Sequence, residues 1–238
     1  MTVALYPSLD LDAARRAYAR DGRAQLAPFL AEPDAEALAA HLAGREDWRL
    51  VLNAGEKLFE IDRPGQAAMT AEQRGKLDAA VDAAARDGFQ FRFETIRVPD
   101  EDPARAAAGT PLDRFARFLS AGSGRDALRH VTGDAAIAFA DAQATRYAAG
   151  HFLTAHDDAV AGKRRHAAYV LGLTRRWRPE WGGLLLFHDD AALSGWAPRF
   201  NALSLFRVPQ PHSVSLVAPF AGEPRLSVTG WLRSGDRG

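Results

Sequence analysis

The fold is decided by a run of short apolar segments: AIAFADAQATRYA (136–148), HAAYVLGLT (166–174), GGLLLFH (182–188), NALSLFRV (201–208), HSVSLVA (212–218) and RLSVTGWL (225–232). Each segment has the length and apolar content of a strand, and turn-forming residues separate it from the next. Six or more short strands at this spacing are typical of a β-sandwich or a barrel.

The residues before this β-rich part carry a mixture of helix and strand patterns. Helices are predicted at 10–21, 33–44, 71–86, 112–119 and 125–130, with a hairpin over 48–61, an alternating strand at 89–99 and a polar loop at 99–110. The chain is therefore expected to be mainly β with an α-rich N-terminal part, forming a single domain over residues 1–238. In this domain an α/β supporting region (1–134) would pack its helices on one outer face of a β-core (135–233).

The composition is that of an ordinary globular protein. Apolar residues make up 47%, charged residues 25%, and the formal net charge is zero, so no general field attracts nucleic acid or an anionic membrane. The absence of cysteine excludes disulfides, thiolate metal sites and cysteine nucleophiles. No apolar run is long enough to span a bilayer, and the N-terminus lacks a signal-peptide pattern. We expect a cytoplasmic protein that binds neither nucleic acid nor membrane; its oligomeric state is left open.

The motif His156-Asp157-Asp158 is the first sign of chemistry. On a strand, residues i and i+2 point to the same side, so His156 and Asp158 are expected to converge while Asp157 faces away. His212, at the predicted start of a strand, is the candidate third ligand. Two histidines and one carboxylate leave metal positions open for substrate and dioxygen, as in non-haem Fe(II) oxygenases. The chain has 7 histidines and 30 acidic residues, so an H-x-D motif can also occur by chance. A purely structural role is therefore an alternative interpretation at this point.

A second element, thirteen residues after His212, makes the metal interpretation more specific. In RLSVTGW (225–231), alternation places Arg225, Ser227, Thr229 and Trp231 on one face of a strand. A buried arginine needs a carboxylate partner, and its planar fork suits bidentate binding of one. If no protein acid lies opposite, a dicarboxylate co-substrate is the natural partner, and Ser227 can add a hydroxyl donor to it.

This ordered combination resembles the 2-oxoglutarate/Fe(II)-dependent dioxygenases, and more closely their prolyl-hydroxylase-like branch. The similar segments are RYAAGHFLTAHDD (146–158), KRRHAAYVLGLTRRWRPEWGG (163–183), GGLLLFHDD (182–190), RFNALSLFRVPQPHSVSLV (199–217) and RLSVTGW (225–231). The resemblance implies a double-stranded β-helix, a jelly-roll or cupin-like core of two sheets closing over a metal. It also implies three cofactors: Fe(II), 2-oxoglutarate as co-substrate, and O2.

The resemblance implies roles for individual residues as well. His156, Asp158 and His212 match the iron ligands, and Arg225 matches the arginine that pairs with the far carboxylate of 2-oxoglutarate. Tyr147 lies where the family's tyrosine lines the pocket near the co-substrate. Three further residues are candidate substrate contacts: Trp231, Arg165 and Gln143.

One departure from the family pattern lies on the strand that follows H-x-D. The hypoxia-sensing prolyl hydroxylases carry a tyrosine there that also donates to the far carboxylate, and the matching position here is Gly172. Tyr169 is predicted to face the other way by alternation. Either a water or another donor, such as Ser227 or Thr229, is then expected at this end of the pocket.

The implied reaction is hydroxylation of an unactivated C–H bond, coupled to decarboxylation of 2-oxoglutarate to succinate. The branch favours a prolyl residue of a protein or peptide as substrate. A free amino acid or a biosynthetic small molecule is an equally compatible alternative. Two interpretations from other classes are a non-catalytic cupin-like sensor that binds metal or ligand, and a zinc hydrolase, which would leave Arg225 without a role.

Overall fold

A computed structural model of the chain describes residues 3–189 and 192–235. Within these residues the helices are α1 (Leu11–Asp21), α2 (Glu32–Ala43), α3 (Arg63–Ala68), α4 (Ala71–Asp87), α5 (Asp102–Ala108), α6 (Pro111–Ser120) and α7 (Gly122–Thr132), with one 3₁₀ turn at Pro179–Trp181. The strands are β1 (Arg23–Leu26), β2 (Arg49–Ala54), β3 (Lys57–Ile61), β4 (Phe91–Arg97), β5 (Phe139–Ala140), β6 (Gln143–Tyr147), β7 (Phe152–His156), β8 (Arg165–Gly172), β9 (Leu185–Asp189), β10 (Ala192–Trp196), β11 (Ala202–Arg207), β12 (His212–Val214) and β13 (Arg225–Arg233).

All of these strands join one antiparallel sheet. Its order is β1-β11-β8-β13-β6-β4-β7-β12-β9-β10, with β2 and β3 continuing from β4 and β5 pairing with β13. The sheet is curled into a half-barrel, since β8 and β13 on one side and β7 and β12 on the other line the same cavity. The predicted mainly β architecture with a jelly-roll core is thereby confirmed.

The helices cover the convex face of this sheet, as predicted. The largest apolar cluster joins α1, α2, α6 and α7 to the outward-facing residues of β1, β8, β11 and β13. On β8 the outward residues are Ala167, Tyr169 and Leu171, all buried against the helices. Because side chains alternate along a strand, their neighbours are left to face the cavity. Among the described residues, none of the helices is long and apolar enough to cross a membrane.

Local sequence explains most of the helix ends. A capping box of Thr70 and Gln73 starts α4, and the predicted hairpin is formed by β2 and β3. The prediction of a loop over 99–110 is wrong, because residues 102–108 form α5. A proline in the first turn, an alanine run and the left-handed Gly109 at the end favour this helix despite its polar flanks. Its Arg105 is buried and donates to Ser120 on α6.

Candidate active site

The three predicted metal ligands meet at one end of the cavity. His156 ends β7, His212 begins β12, and the two residues are direct register partners across this strand pair. Nε2 of His156 lies 3.4 Å from Oδ1 of Asp158, and Nε2 of His212 lies 3.4 Å from Oδ2 of the same residue. One candidate ligand atom from each residue lies within 4.8 Å of the others. This spacing fits a single ion held between two imidazoles and one carboxylate.

The carboxylate reaches the cluster by a different route from the one predicted. Strand β7 ends at His156, and Asp158 lies beyond it with a left-handed φ of 63°. This conformation is rare for residues other than glycine and is tolerated best by Asn and Asp. The Arg165 guanidinium donates to the Asp158 carbonyl at 2.9 Å and so holds the turn. The predicted convergence is present, but a turn produces it instead of strand alternation.

Main-chain carbonyls orient both imidazoles. Nδ1 of His156 lies 3.0 Å from the carbonyl of Thr154, and Nδ1 of His212 lies 2.7 Å from that of Gln210. A carbonyl only accepts, so each Nδ1 carries the proton and each Nε2 turns a lone pair towards the cluster. Histidines that bind metals are commonly fixed in this way.

The protonation states also suit a cation. Burial, reinforced by the nearby charge of His156, lowers the pKa of His212 to about 4, so its imidazole is neutral at neutral pH. Burial raises the pKa of Asp158, but the adjacent rings of His156 and His212 outweigh this, and the net pKa is lowered. The cluster therefore offers the neutral imidazole of His212 and the ionised carboxylate of Asp158, with the His156 ring beside them.

The other end of the cavity carries a buried cation. Arg225 is 4% exposed, and burial lowers the pKa of its guanidinium. Its carbon Cζ lies 5.3 Å from the ring centre of Tyr147, its register partner on β6. Within the described parts of the chain, no carboxylate forms an ion pair with Arg225, and its Nη1 has no hydrogen-bond partner. A buried, unpaired cation is costly, so this group fits a site for an anionic ligand.

Both ends open into one cavity of about 400 Å³. One wall is a continuous aromatic row, in which neighbouring ring centres lie 5.1–5.6 Å apart: Phe89, Phe91, Phe93 and Tyr147. Phe89 lies 5.6 Å from the His156 ring and is half exposed at the mouth. A second, more polar groove of about 560 Å³ adjoins the cavity and shares Gln143, Arg165 and Trp231 with it.

The candidate substrate contacts lie between these two spaces. The Arg165 guanidinium stacks over Trp231, with Cζ 3.5 Å from a ring centre, and Gln143 accepts from the Thr95 hydroxyl at 3.2 Å. Ser227 is fully buried and its Oγ lies 2.8 Å from Oγ1 of Thr145, which lines the cavity. Phe206 was not singled out from the sequence, although its ring packs 4.6 Å from that of His212. Alternation along β11 could have placed it on the cavity face.

Tyr169 and Gly172 lie as alternation predicts. The Tyr169 ring packs against Phe115 on the helical side, and its hydroxyl donates to the Asp141 carbonyl at 2.8 Å. Gly172 is on the opposite face of β8, beside Arg225 in a small cavity. The co-substrate end therefore lacks a tyrosine from this strand.

Comparison with known proteins agrees with this geometry. Residues 142–233, which include all three candidate ligands and Arg225, match the family model described as the 2OG-Fe(II) oxygenase superfamily. The match covers the C-terminal part of the chain and supports an oxidoreductase that uses Fe(II), 2-oxoglutarate and O2. No curated protein sequence matches the chain.

Solved structures share the fold at low sequence identity. A prolyl-4-hydroxylase from Pseudomonas putida superposes with a TM-score of 0.60 at 22% identity, covering 94% of this chain and 99% of that one. A Trichoplax adhaerens prolyl hydroxylase, solved with a peptide of hypoxia inducible factor, gives 0.60 at 15% identity over 94% and 89% of the two chains. The non-haem epimerase SnoN of nogalamycin biosynthesis superposes with a TM-score of 0.56 at 14% identity, covering 96% of this chain and 86% of that one. Hydroxylases and an epimerase thus share one scaffold.

Proposed function

We propose that this oxygenase hydroxylates an unactivated C–H bond of an apolar substrate group, and that this group is a prolyl residue of a protein or peptide. His156, Asp158 and His212 hold the iron, and Arg225 pairs with the far carboxylate of 2-oxoglutarate. The observation that carries the proposal is the buried Arg225, which pairs with no carboxylate of the described residues and lies in the same cavity as a His-Asp-His cluster. A structural His-Asp cluster or a zinc hydrolase gives this cation no function.

The residues of the site fit Fe(II) and 2-oxoglutarate in their charges and in their positions along the cavity. The cluster presents the ionised carboxylate of Asp158, the neutral imidazole of His212 and the His156 ring, a donor set suited to a divalent ion with open positions. Arg225 offers an unused donor at the far end of the same space. When bound, Fe(II) and 2-oxoglutarate supply the oxidation of a C–H bond by O2, with release of succinate and carbon dioxide.

The protein's own residues position the substrate and exclude water. Tyr147 and Phe93 stack at 5.1 Å and make the cavity wall apolar beside the co-substrate end. The stacked Arg165 and Trp231 form the partition between the cavity and the polar groove. Both features favour reaction at an apolar group held close to the cluster.

The shape of the site supports a prolyl residue within a longer chain. The aromatic row beside His156 offers ring faces on which the C–H groups of a pyrrolidine ring can pack. Exposed Phe89 and Val160 extend this apolar wall to the mouth. The adjoining groove, with Arg97, Glu101 and Lys163 along it, gives the flanking peptide residues a polar path.

Two measurements test the proposal. Anaerobic addition of Fe(II) and 2-oxoglutarate should give the weak visible charge-transfer band of a chelated 2-oxo acid, and His156→Ala should abolish it. In air, proline-containing peptides should stimulate succinate formation more than free proline, other free amino acids or a metabolite extract. Absence of both the band and succinate would leave a cupin-like sensor as the better interpretation. Stimulation by free amino acids alone would exclude the peptide substrate.

A further inference from the structure

We propose that Thr145, held in place by Ser227, is the second hydrogen-bond donor to the far carboxylate of 2-oxoglutarate. This inference rests on the proposed function, because it takes Arg225 as the anchor of the same carboxylate. It identifies the residue that completes this end of the site in the absence of a tyrosine from β8.

The first observation is that β8 has no room for a donor at this level. A Cβ atom added at Gly172 would lie 2.2 Å from the main-chain carbonyl oxygen of Arg199, well inside van der Waals contact. The backbone of residue 199 therefore takes the place of a side chain. A donor must come from another strand.

The second observation is the register across β8, β13 and β6. Ser227 on β13 pairs with Gly172 on β8 and, on its other side, with Thr145 on β6. The next cavity-facing pair along the same two strands is Arg225 with Tyr147. Thr145 therefore lies one cavity-facing pair away from Arg225. It is in the same row across the sheet as Gly172, which offers no side chain to the co-substrate.

The third observation concerns the hydroxyl protons. Thr145 lines the main cavity, whereas Ser227 is 0% exposed behind it. Each hydroxyl has one proton to donate. When Ser227 donates across the 2.8 Å contact, Thr145 keeps its own proton, for which the Ser227 carbonyl at 3.5 Å is a distant acceptor. A carboxylate bound at Arg225 is a charge-assisted alternative acceptor for this proton.

A rival donor, Ser204, lies on the other side of Arg225. Its hydroxyl accepts from Gln25 at 3.2 Å and faces a cavity of about 20 Å³. That space holds about one water molecule and no part of a five-carbon diacid. Ser204→Ala is therefore a matched control that removes a buried hydroxyl beside the same guanidinium.

The test is the anaerobic affinity of the Fe(II)-loaded, full-length protein for two 2-oxo acids, measured by titration of the charge-transfer band. One is 2-oxoglutarate, and the other is 2-oxopentanoate, which has the same chain length but lacks the far carboxylate. Thr145→Val should weaken 2-oxoglutarate binding about tenfold, the usual value of a hydrogen bond to a charged group. It should leave 2-oxopentanoate binding unchanged. Thr145→Ser should retain affinity within about twofold, and Ser227→Ala should lose about threefold.

Arg225→Met separates the possible outcomes. If it does not weaken 2-oxoglutarate binding, the proposed function fails and the Thr145 inference with it. If it does, but Thr145→Val weakens both acids equally or neither, only the Thr145 inference is overturned. A selective loss in Ser204→Ala with none in Thr145→Val would likewise overturn it and assign the donor to β11. Unchanged 2-oxopentanoate binding shows in the same experiment that Thr145→Val is folded.

Discussion

The two ends of the active-site cavity carry charges of opposite sign, a carboxylate at one end and a guanidinium at the other. At the metal end, Asp158 faces His156 and His212, and backbone carbonyls satisfy the outer nitrogens of both rings. At the far end, Arg225 is buried and its Nη1 finds no acceptor among the residues that the structure describes. The first end is prepared for a cation by ligand geometry and protonation. The second is prepared for an anion by leaving a charge uncompensated, at a cost to the stability of the unliganded protein.

The largest expected effect comes from removing the carboxylate of the metal end. Asp158→Ala should weaken Fe(II) or Mn(II) binding about 1,000-fold, because residues that only support ligands are already worth 10–100-fold. Isothermal titration with Mn(II) measures this. Asp157→Ala is the matched control, since Asp157 is exposed and should bind metal as the wild type does. Comparable losses in both variants would contradict the assigned ligand.

Removing the charge of Arg225 at the far end should weaken co-substrate binding but stabilise the unliganded protein. Arg225→Met should weaken 2-oxoglutarate binding about 100-fold, the usual cost of breaking a buried charge pair. It should also raise the melting temperature of the unliganded protein, because it removes a buried, unpaired cation.

Arg146 provides the contrast for this prediction. It lies on the same sheet but pairs with the buried Glu94. Among the residues that the structure describes, Arg146→Met leaves that carboxylate with the distant Arg63 as its one ion-pair partner, 3.9 Å away, and should lower the melting temperature. Differential scanning calorimetry of both variants decides the comparison. A lower melting temperature for Arg225→Met would show that Arg225 is compensated in the unliganded protein.

Lowering the pH should destabilise the folded protein through a histidine of the metal end and not through Arg225 at the far end. The pKa of His212 is lowered to about 4 by burial, so between pH 6.5 and 4 the unfolded chain binds a proton that the folded protein does not. Stability therefore falls as the pH falls through this window, by about 2 kcal/mol for one such histidine. Urea unfolding of the metal-free protein at pH 7 and pH 4.5 measures the slope.

Variants locate the source of this slope. His212→Asn should flatten part of it, and so should His151→Gln, since burial also lowers the pKa of His151 to about 4. Arg225→Met should leave the slope unchanged, because a guanidinium does not titrate in this range. An unchanged slope in His212→Asn would contradict the neutral, buried state of that ring.

The smallest effect concerns the turn that brings Asp158 into the cluster. Arg165→Lys should weaken metal binding about tenfold, because lysine cannot both stack on Trp231 and donate to the Asp158 carbonyl as the guanidinium does. Mn(II) titration again gives the number. Lys163→Ala, a change on the neighbouring loop, should leave the affinity unaffected. Equal affinities in all three proteins would show that the left-handed turn holds without Arg165.

Much of this site was predictable because strand alternation is a local rule. It placed Arg225, Ser227 and Thr229 on one face of β13 and Tyr169 on the opposite face from Gly172, as the register shows. The rule failed where the backbone leaves the strand, at Asp158, because a left-handed turn depends on the contact with Arg165. Helix α5 was missed because its stabilising group, Arg105, is polar in sequence and becomes buried only through tertiary contacts.

The sequence by itself determined the strand-rich core, the candidate ligands and the arginine, since each follows from residue type and period-two spacing. Only the tertiary structure decided that Arg225 has no carboxylate opposite it in residues 3–189 and 192–235, because pairing across a curled sheet is not readable from one strand. It alone brought Gly172, Ser227 and Thr145 into one row and set the main chain at Arg199 against the glycine. Spacing along a strand is local, whereas the partner of a buried charge depends on residues far apart in the chain.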